Sequence, residues 1–577
     1  MTFSTLAGYL EKLEGTSSRL EMTRILAEMF SEVDGDEGKI LAYLSAGMLG
    51  PKYNNPDMGM AEKQAIKAVA EAFDKNEEEI TEKFKRFGDL GKTVQELKKG
   101  NTGGKRLNVR EVYERLLEMA IVSGSGSQAK KIELLAKLIS ELEPISAKFA
   151  VKMALTKLRS GFSDMTVLDS LSWMIKGDKS LRENIENIYN VRADLGEVVK
   201  LVKETKDLTH LRVSPEVGTP ILVARGERAK SPAEIWERMG GAAAAEHKLD
   251  GLRIEAHIKK DDVILFSRGL ENVTPMYPDI VEGLKKQVRR ECILDGEMIA
   301  VGKDGKYLPF QETVQRKRKY DILEMMAQVP LKYFTFDILS LQGENLLDKP
   351  NEIRREKLEK TVEKGEVIKL MPRILVNSEK EITDYFYAAL KCGTEGIFVK
   401  RLDAGYKSGS RDFNWIKYKK SYDQTGEADT IDAVVMGYDA GEGKRSGFGI
   451  GGFLIGVYDK KRDRFQTIAK IGTGLKDDEW RELYIKCKRF NLKFKPENYE
   501  VSKQMECDFW VKPVMVVEIK CDEITRSPMH TTGYALRFPR LVNFREMKVE
   551  EAATPGEIVR LFELQSKKTK GGGEDGG

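Results

Sequence analysis

From Met1 to about Val213 the apolar positions recur at helical spacing. Met22, Ile25, Leu26, Met29 and Phe30 fall at i, i+3, i+4, i+7 and i+8, and Ile132, Leu135, Ala136 and Ile139 repeat the pattern before Pro144 ends the run. Strand-like alternation is scarce in this third, and no fixed repeat period marks it as a solenoid. The texture changes at Ser214-Pro215 and Gly218-Thr219-Pro220, which read as a linker.

From Ile221 to Lys420 short β-rich runs alternate with helical segments. Ile254, Ala256 and Ile258 alternate with Arg253, Glu255 and His257, Asp261-Asp262 turn the chain, and Val263–Phe266 follows, so a hairpin with one apolar face is expected. A second break falls at Asp423-Gln424-Thr425-Gly426. Beyond it Ile431–Val435, Phe453–Tyr458 and Val514–Ile519 read as strands and Asp477–Phe490 as one helix, which suits a small barrel of the OB type. Lys567 to Gly577 is a Lys/Gly-rich tail expected to be disordered. The predicted fold class is therefore multidomain α and α+β, with parts at 1–213, 214–420 and 421–577.

Composition narrows the class. A length of 577 residues suggests three or four domains. The balance of 96 basic and 92 acidic residues, net +4, excludes a uniformly basic nucleic-acid binder, so any positive surface must be local. The five cysteines lie far apart and form no CxxC knuckle or disulfide framework, which fits a reducing cytoplasm. The N-terminus carries no signal-peptide pattern, and no apolar run approaches the roughly 20 residues needed to span a bilayer.

Two motifs mislead. Gly447-Phe448-Gly449-Ile450-Gly451-Gly452 satisfies GxGxxG, but a strand rather than a helix follows it, so it reads as a hairpin loop. Gly441-Glu442-Gly443-Lys444 resembles a P-loop, yet Tyr438 and Arg445 stand where Gly and Ser/Thr are required.

The informative segment is Glu246-His247-Lys248-Leu249-Asp250-Gly251-Leu252-Arg253. A lysine just before an Asp-Gly turn and a strand can project into a cleft instead of bulk solvent. Ser267-Arg268, Leu294-Asp295-Gly296-Glu297, Tyr333-Phe334-Thr335-Phe336-Asp337, Glu395-Gly396-Ile397-Phe398-Val399-Lys400 and Trp415-Ile416-Lys417-Tyr418-Lys419 follow in order. Asp295 and Glu297 are expected at a strand end, and Lys417 and Lys419 on one strand face.

In that order the set resembles the covalent nucleotidyltransferase superfamily, and within it the ATP-dependent DNA ligases of the archaeal and eukaryotic replicative type. Arg537-Phe538-Pro539-Arg540 resembles the family's last motif. Leu158-Arg159-Ser160-Gly161, Tyr189–Gly196 and the glycine-serine loop Ser123–Ser127 resemble its DNA-binding domain. The resemblance covers nearly the whole chain. It implies a helical DNA-binding domain (1–213), a mixed α/β adenylation domain (214–420) and an OB-fold domain with its tail (421–577), together encircling nicked duplex DNA.

It also implies roles. Lys248 would attack the α-phosphorus of ATP and carry AMP, and an ordinary lysine, with a pKa near 10.4, needs neighbouring cations to supply a free amine. Glu246 would face the adenine edge, Phe336 stack on the ring, and Arg253 lie on the ribose side. Arg268, Arg411 and Lys417 would hold phosphates, and Glu297 and Glu395 would position Mg²⁺. AMP would pass to a 5′-phosphate and the 3′-hydroxyl would displace it, sealing the nick in replication, repair and recombination. Gln311–Tyr320, with Arg316-Lys317-Arg318-Lys319, reads either as a phosphate-contacting stretch or as a solvated basic loop.

The chain departs from the family in two places. Met547 stands where an Asp is usual in the last motif, and Gln95–Gly100 lacks the aromatic pair of a sliding-clamp peptide, so a clamp partner is expected from the resemblance alone. A monomer is expected. An RNA ligase or capping guanylyltransferase would share Lys248–Arg253 but leave the helical third unexplained. An NAD-dependent ligase would bring a four-cysteine zinc site. A non-catalytic DNA-binding scaffold would not need Lys248, Glu297, Glu395 and Lys417 together.

Overall fold

The computed structural model describes residues 1–100, 104–158, 161–260, 262–302, 305–318, 321–419, 430–441, 447–545 and 548–570. The chain forms two compact units, Met1–Lys419 and Lys420–Gly577. Twelve α-helices fill the described part of 1–213. The helix Arg19–Ser31 buries Met22, Ile25, Leu26, Met29 and Phe30, the periodic positions, after an N-cap at Ser18. Pro144 does more than end the preceding helix: it is the first residue of the helix Pro144–Ala154, where its missing N–H costs nothing. The glycine-serine loop joins the helices Val109–Ile121 and Ser127–Glu141. Asp194 N-caps the helix Leu195–Glu204 and also accepts the hydroxyls of Tyr43 at 2.7 Å and Tyr53 at 3.0 Å. Of Leu158–Gly161, Arg159 and Ser160 lie outside the described residues.

The Pro/Gly stretch after this helical part is firmly docked, contrary to the reading as a linker. Ala193 donates its amide to the Pro220 carbonyl at 3.0 Å, and Leu222 donates to that of Asn190 at 2.8 Å. Gly218 donates to His257 Nδ1 at 3.0 Å and Ile221 to Glu255 Oε1 at 2.9 Å. Proline and glycine announce irregular backbone, but they do not say where its amides find partners.

Among the described residues eleven strands build two sheets in the rest of this unit: β1 (Arg225–Arg228), β2 (Ala243–Lys248), β3 (Leu252–Lys259), β4 (Asp262–Ser267), β5 (Cys292–Ala300), β6 (Leu331–Leu341), β7 (Glu344–Asn345), β8 (Ile368–Leu370), β9 (Arg373–Val376), β10 (Gly396–Arg401) and β11 (Arg411–Lys419). One sheet runs β1-β11-β10-β2-β9; the other runs β4-β3-β5-β6-β7, with β8 on β6. The chain leaves the first sheet at Lys248 and enters the second at Leu252, so the Asp-Gly turn joins the two.

Two expectations need correction here. The β3–β4 hairpin is covered on both faces: Glu255 is 3% and His257 0% exposed, because the segment 218–221 lies over them. Asp295 and Glu297 sit in the middle of nine-residue β5, not at a strand end, since pairing continues to Ala300 against Leu331. Asp261 lies outside the described residues.

The second unit is an OB-type barrel. The strand Thr430–Asp439 pairs with Gly452–Asp459, Phe509–Val511 and Val516–Lys520, and its bulge at Val435/Gly437 lets the sheet curl around Phe453, Ile455 and Val517. The helix Asp477–Arg489 packs Trp480, Leu483 and Cys487 into this core. Gly447–Gly452 lies between two antiparallel strands, as a hairpin loop should. The tail begins later than expected, because a helix runs from Pro555 to Lys570. Ile558 on that helix is fully buried, and Gln565 accepts the amide of Ile524 at 3.1 Å. The break at 423–426, residues 442–446, Met547 and 571–577 lie outside the described residues. Among the described residues no helix is long and apolar enough to cross a membrane.

Candidate active site

The first sheet presents a row of lysines around one carboxylate. Lys248, the last residue of β2, and Lys419, the last of β11, both stand opposite Gly396 at the start of β10. A side chain at 396 would strike the Tyr418 carbonyl at 2.0 Å, and φ there is 154°, so only glycine lets the three strand ends close up. Glu395 follows from this closure. Its amide donates to the Lys248 carbonyl at 3.0 Å, and its Oε2 lies 2.5 Å from Lys248 Nζ and 2.9 Å from Lys419 Nζ. Burial pushes the Glu395 carboxyl up, but the two ammonium groups outweigh it and hold it well below the usual carboxylate range.

Lys417, two residues before Lys419, shares its face. Burial lowers its pKa to about 8, helped by Arg228, Lys248, Lys419 and Arg411. Arg228 and Arg225 come from β1, opposite Lys417 and Arg411 respectively. The short Arg-Gly-Glu-Arg strand carries no motif; its only signal in the sequence is Arg225 and Arg228, one and four places after the apolar run Ile221–Ala224.

The second sheet supplies the facing wall. Arg253 on β3 stands opposite Glu297 on β5. Arg253 forks onto Asp295 at 3.0 and 2.6 Å and donates to the Ala224 carbonyl at 2.7 Å. Burial opposes its charge, yet Asp295 wins and raises its pKa further. Glu297 has neither a hydrogen bond nor an ion pair among the described residues. Burial, resisted by Lys248 and Arg253 but aided by Asp295 and Glu395, raises its pKa to about 7. Arg268, just beyond β4, has its pKa lowered by burial and by Arg253 and Arg225.

Phe336 of β6 bridges the sheets. Its half-buried ring has Lys400 Nζ 4.6 Å and the Arg253 guanidinium 5.4 Å from its centroid, and it meets Trp415 of β11 edge-on at 6.1 Å. Lys400, 1% exposed, pairs with Glu246, 2% exposed, at 2.6 Å. The other carboxylate oxygen of Glu246, Oε1, is buried without a hydrogen-bond partner among the described residues. A buried bare acceptor beside a half-open aromatic face suits a planar ring with an amino group at its edge.

Lys248, Glu246, Arg253, Glu297, Phe336, Glu395 and Lys417 thus converge, with Arg411 and Arg268 linked to them through neighbouring charges. The sequence reading gave no part to Lys400, Lys419, Asp295, Tyr406 or Trp415, although all but Tyr406 lie inside the motifs it picked out. Arg316 belongs elsewhere. It is 2% exposed, forks onto Asp279 at 3.1 and 2.7 Å, and cannot be a surface phosphate contact. Lys317 pairs with Glu271, and Lys319 and Tyr320 lie outside the described residues.

Among the described residues no cluster of three His, Cys, Asp or Glu side chains could cage a metal. Glu297, unpartnered in the cleft, fits a Mg²⁺ held mainly by substrate phosphates and water, which is how that ion usually binds.

Family models match almost end to end: a DNA ligase N terminus over residues 2–172, an ATP-dependent DNA ligase domain over 223–419, and an ATP-dependent DNA ligase C-terminal region over 446–548. The chain is 44% identical to a probable DNA ligase of Dictyoglomus turgidum, with 98% of each chain covered. The chain belongs to the ATP-dependent DNA ligases. It is also 37% identical to a DNA ligase of Sulfolobus acidocaldarius, over 98% of this chain and 99% of that one. A solved structure titled "Pmar-Lig_PreS3" shares the ligase fold across 94% of this chain at a TM-score of 0.54 and 16% identity. Cys292, Cys392, Cys487, Cys507 and Cys521 form no disulfide, as their wide spacing led one to expect.

Proposed function

We propose that Lys248 is the residue through which this ATP-dependent DNA ligase seals nicks. Its Nζ attacks the α-phosphorus of ATP, the bond from that phosphorus to the bridging oxygen breaks, and pyrophosphate leaves. AMP is then held on the lysine nitrogen. Passing AMP to a 5′-phosphate gives that phosphate a leaving group, which the 3′-hydroxyl displaces. Both later steps are in-line transfers in which placement and charge do the work.

The observation that supports this reading is that Lys248 Nζ pairs with Glu395 Oε2 beside Lys419 and lies near enough to Lys417 on its own sheet and Glu297 on the other to act on both their charges. Fixed cations favour the free amine and stabilise charge building on the phosphate. Phe336 is assigned to the adenine face and Glu246 Oε1 to its amino edge. Arg253 is assigned to the ribose side, and Lys417, Arg411 and Arg268 to phosphates. Glu297 and Glu395 would hold Mg²⁺, which when bound would neutralise phosphate charge.

We assign nicked duplex DNA as the substrate, gripped in part by residues 1–213, and roles in replication, repair and recombination. A cytoplasmic location accords with five scattered free thiols, and we assign the protein as a monomer. A sliding-clamp partner rests on the family resemblance, since Gln95–Gly100 offers no aromatic pair.

The test uses the full chain with Mg²⁺ and each labelled nucleotide in turn, without DNA, followed by mass spectrometric mapping. ATP label on Lys248 is expected. Label from GTP alone would mean a capping-type enzyme, and no label a DNA-binding scaffold.

A further inference from the structure

Behind the cleft lies a buried arginine that no step above uses. Arg354, on the helix Asn351–Thr361, is 0% exposed. Its Nε and Nη2 reach Asp337 Oδ1 and Oδ2 at 2.7 and 3.0 Å. Its Nη1 donates to the carbonyls of Lys349 at 2.5 Å and Ala404 at 3.0 Å, and the guanidinium lies 5.9 Å from the Tyr406 ring centroid.

These contacts join β6 and the turn before the helix to a loop 50 residues further along the chain. Asp337 is the residue after Phe336 on β6. Ala404 lies in the loop that carries Tyr406, and Lys349 lies in the turn before the helix. Tyr406 in turn donates its hydroxyl to Asp295 Oδ2 at 2.7 Å, accepts the Ala224 amide at 3.0 Å, and meets Trp415 edge-on at 5.4 Å. Asp295 is the carboxylate that holds Arg253. One guanidinium therefore braces both the strand that bears Phe336 and the loop whose tyrosine helps seat Arg253.

We propose that Arg354 is a positioning residue for adenylyl transfer, setting the gap between Phe336 and the facing sheet so that the nucleotide base is held without slack. It touches no reacting atom. A purely structural arginine would affect melting alone; a positioning one must also affect nucleotide affinity after stability is restored. The proposal rests on the reading of Phe336 as the base-stacking wall.

The experiment uses the full-length protein carrying Lys248→Ala, so that ATP binds without reacting, and adds Arg354→Met, the pair Arg354→Met with Asp337→Leu, or Phe336→Ala. Melting temperature and ATP Kd are measured for each. An apolar pair of similar size removes the buried Asp337 charge that Arg354→Met strands, although the Lys349 and Ala404 carbonyls lose their donor in both, so the double change should melt above the single one and below the parent. The expected result is a folded double change that melts above Arg354→Met and binds ATP roughly ten- to a hundredfold more weakly than the parent, because its base-holding wall is less preorganised. Parental ATP affinity in the double change, with Phe336→Ala weakened, would overturn the role of Arg354 alone. Parental affinity in Phe336→Ala as well would overturn both that role and the stacking assignment.

Discussion

Lys248 and Lys419 share a single oxygen: Glu395 Oε2 lies 2.5 Å from one ammonium and 2.9 Å from the other. Without nucleotide, the Lys248 amine, which we propose as the nucleophile, is therefore tied to a carboxylate that a second lysine also holds. Phosphate oxygens entering the cleft would compete for the same cations.

The charge of Glu395 should matter to the resting fold. Its pKa is lowered on folding, so its stabilising contribution is present above the ordinary carboxylate value and is lost as pH falls through the lowered one. Glu395→Gln should cost about 1.5–3 kcal/mol at pH 7, the range for bonds to charged groups. The deficit should shrink in melts taken at progressively lower pH. A deficit that is constant from pH 7 to pH 3 would contradict this.

Glu297 should behave in the opposite sense in metal-free, nucleotide-free protein. Its pKa is raised to about 7, so the folded state gains most below the ordinary value near 4.5 and loses that advantage as pH rises to 7. Glu297→Gln should therefore melt higher than the parent at pH 8 and about equally at pH 4, while nick sealing falls at least a hundredfold. Equal melting at both pH values would show that the carboxylate is not strained.

Glu246 and Lys400 should separate recognition from stability. Glu246→Gln keeps the shape but adds a donor, so the preference for ATP over GTP in self-adenylylation should drop roughly ten- to a hundredfold. Lys400→Met strands a buried carboxylate and should cost about 3–5 kcal/mol by chemical denaturation. Unchanged nucleotide preference in Glu246→Gln would remove this residue from the base edge.

His257 holds the segment after the helical part. It accepts from Gly218 N through Nδ1, and its Nε2 lies 2.6 Å from Glu255 Oε1, which also takes the Ile221 amide. His257→Leu leaves one amide and part of a carboxylate unsatisfied, at about 1–3 kcal/mol each. Hydrogen exchange at Gly218 and Ile221 should accelerate while that of β6 stays slow; unaltered exchange would mean that the segment is held by other contacts.

Much of the site was legible because it is local. Lys248 to Arg253 crosses from one sheet to the other within six residues, and Lys417 and Lys419 share a face by simple alternation. What could not be read was pairing across distance. Asp295 looked like a second strand-end carboxylate, but it is the seat of Arg253, and Tyr406 sits in a loop without a motif. Arg316 looked like a basic surface residue because a run of Arg and Lys does not disclose that Asp279, 37 residues away, faces it from a neighbouring helix. In the fold, the helical third and the barrel strands followed from periodicity. The docked segment 214–222 and the C-terminal helix on the barrel did not, because both depend on partners distant in sequence.

Gly409 has an outcome of its own. A side chain there would meet Asn190 Oδ1 at 2.1 Å, and Gly409 also donates to the Leu222 carbonyl at 2.7 Å. The helix Arg182–Val191 thus leans directly on the approach to β11, two residues before Arg411. Strain arising in the helical third would therefore be felt first at the start of β11, where Arg411, proposed above to hold phosphate, stands, without any message crossing the sheets.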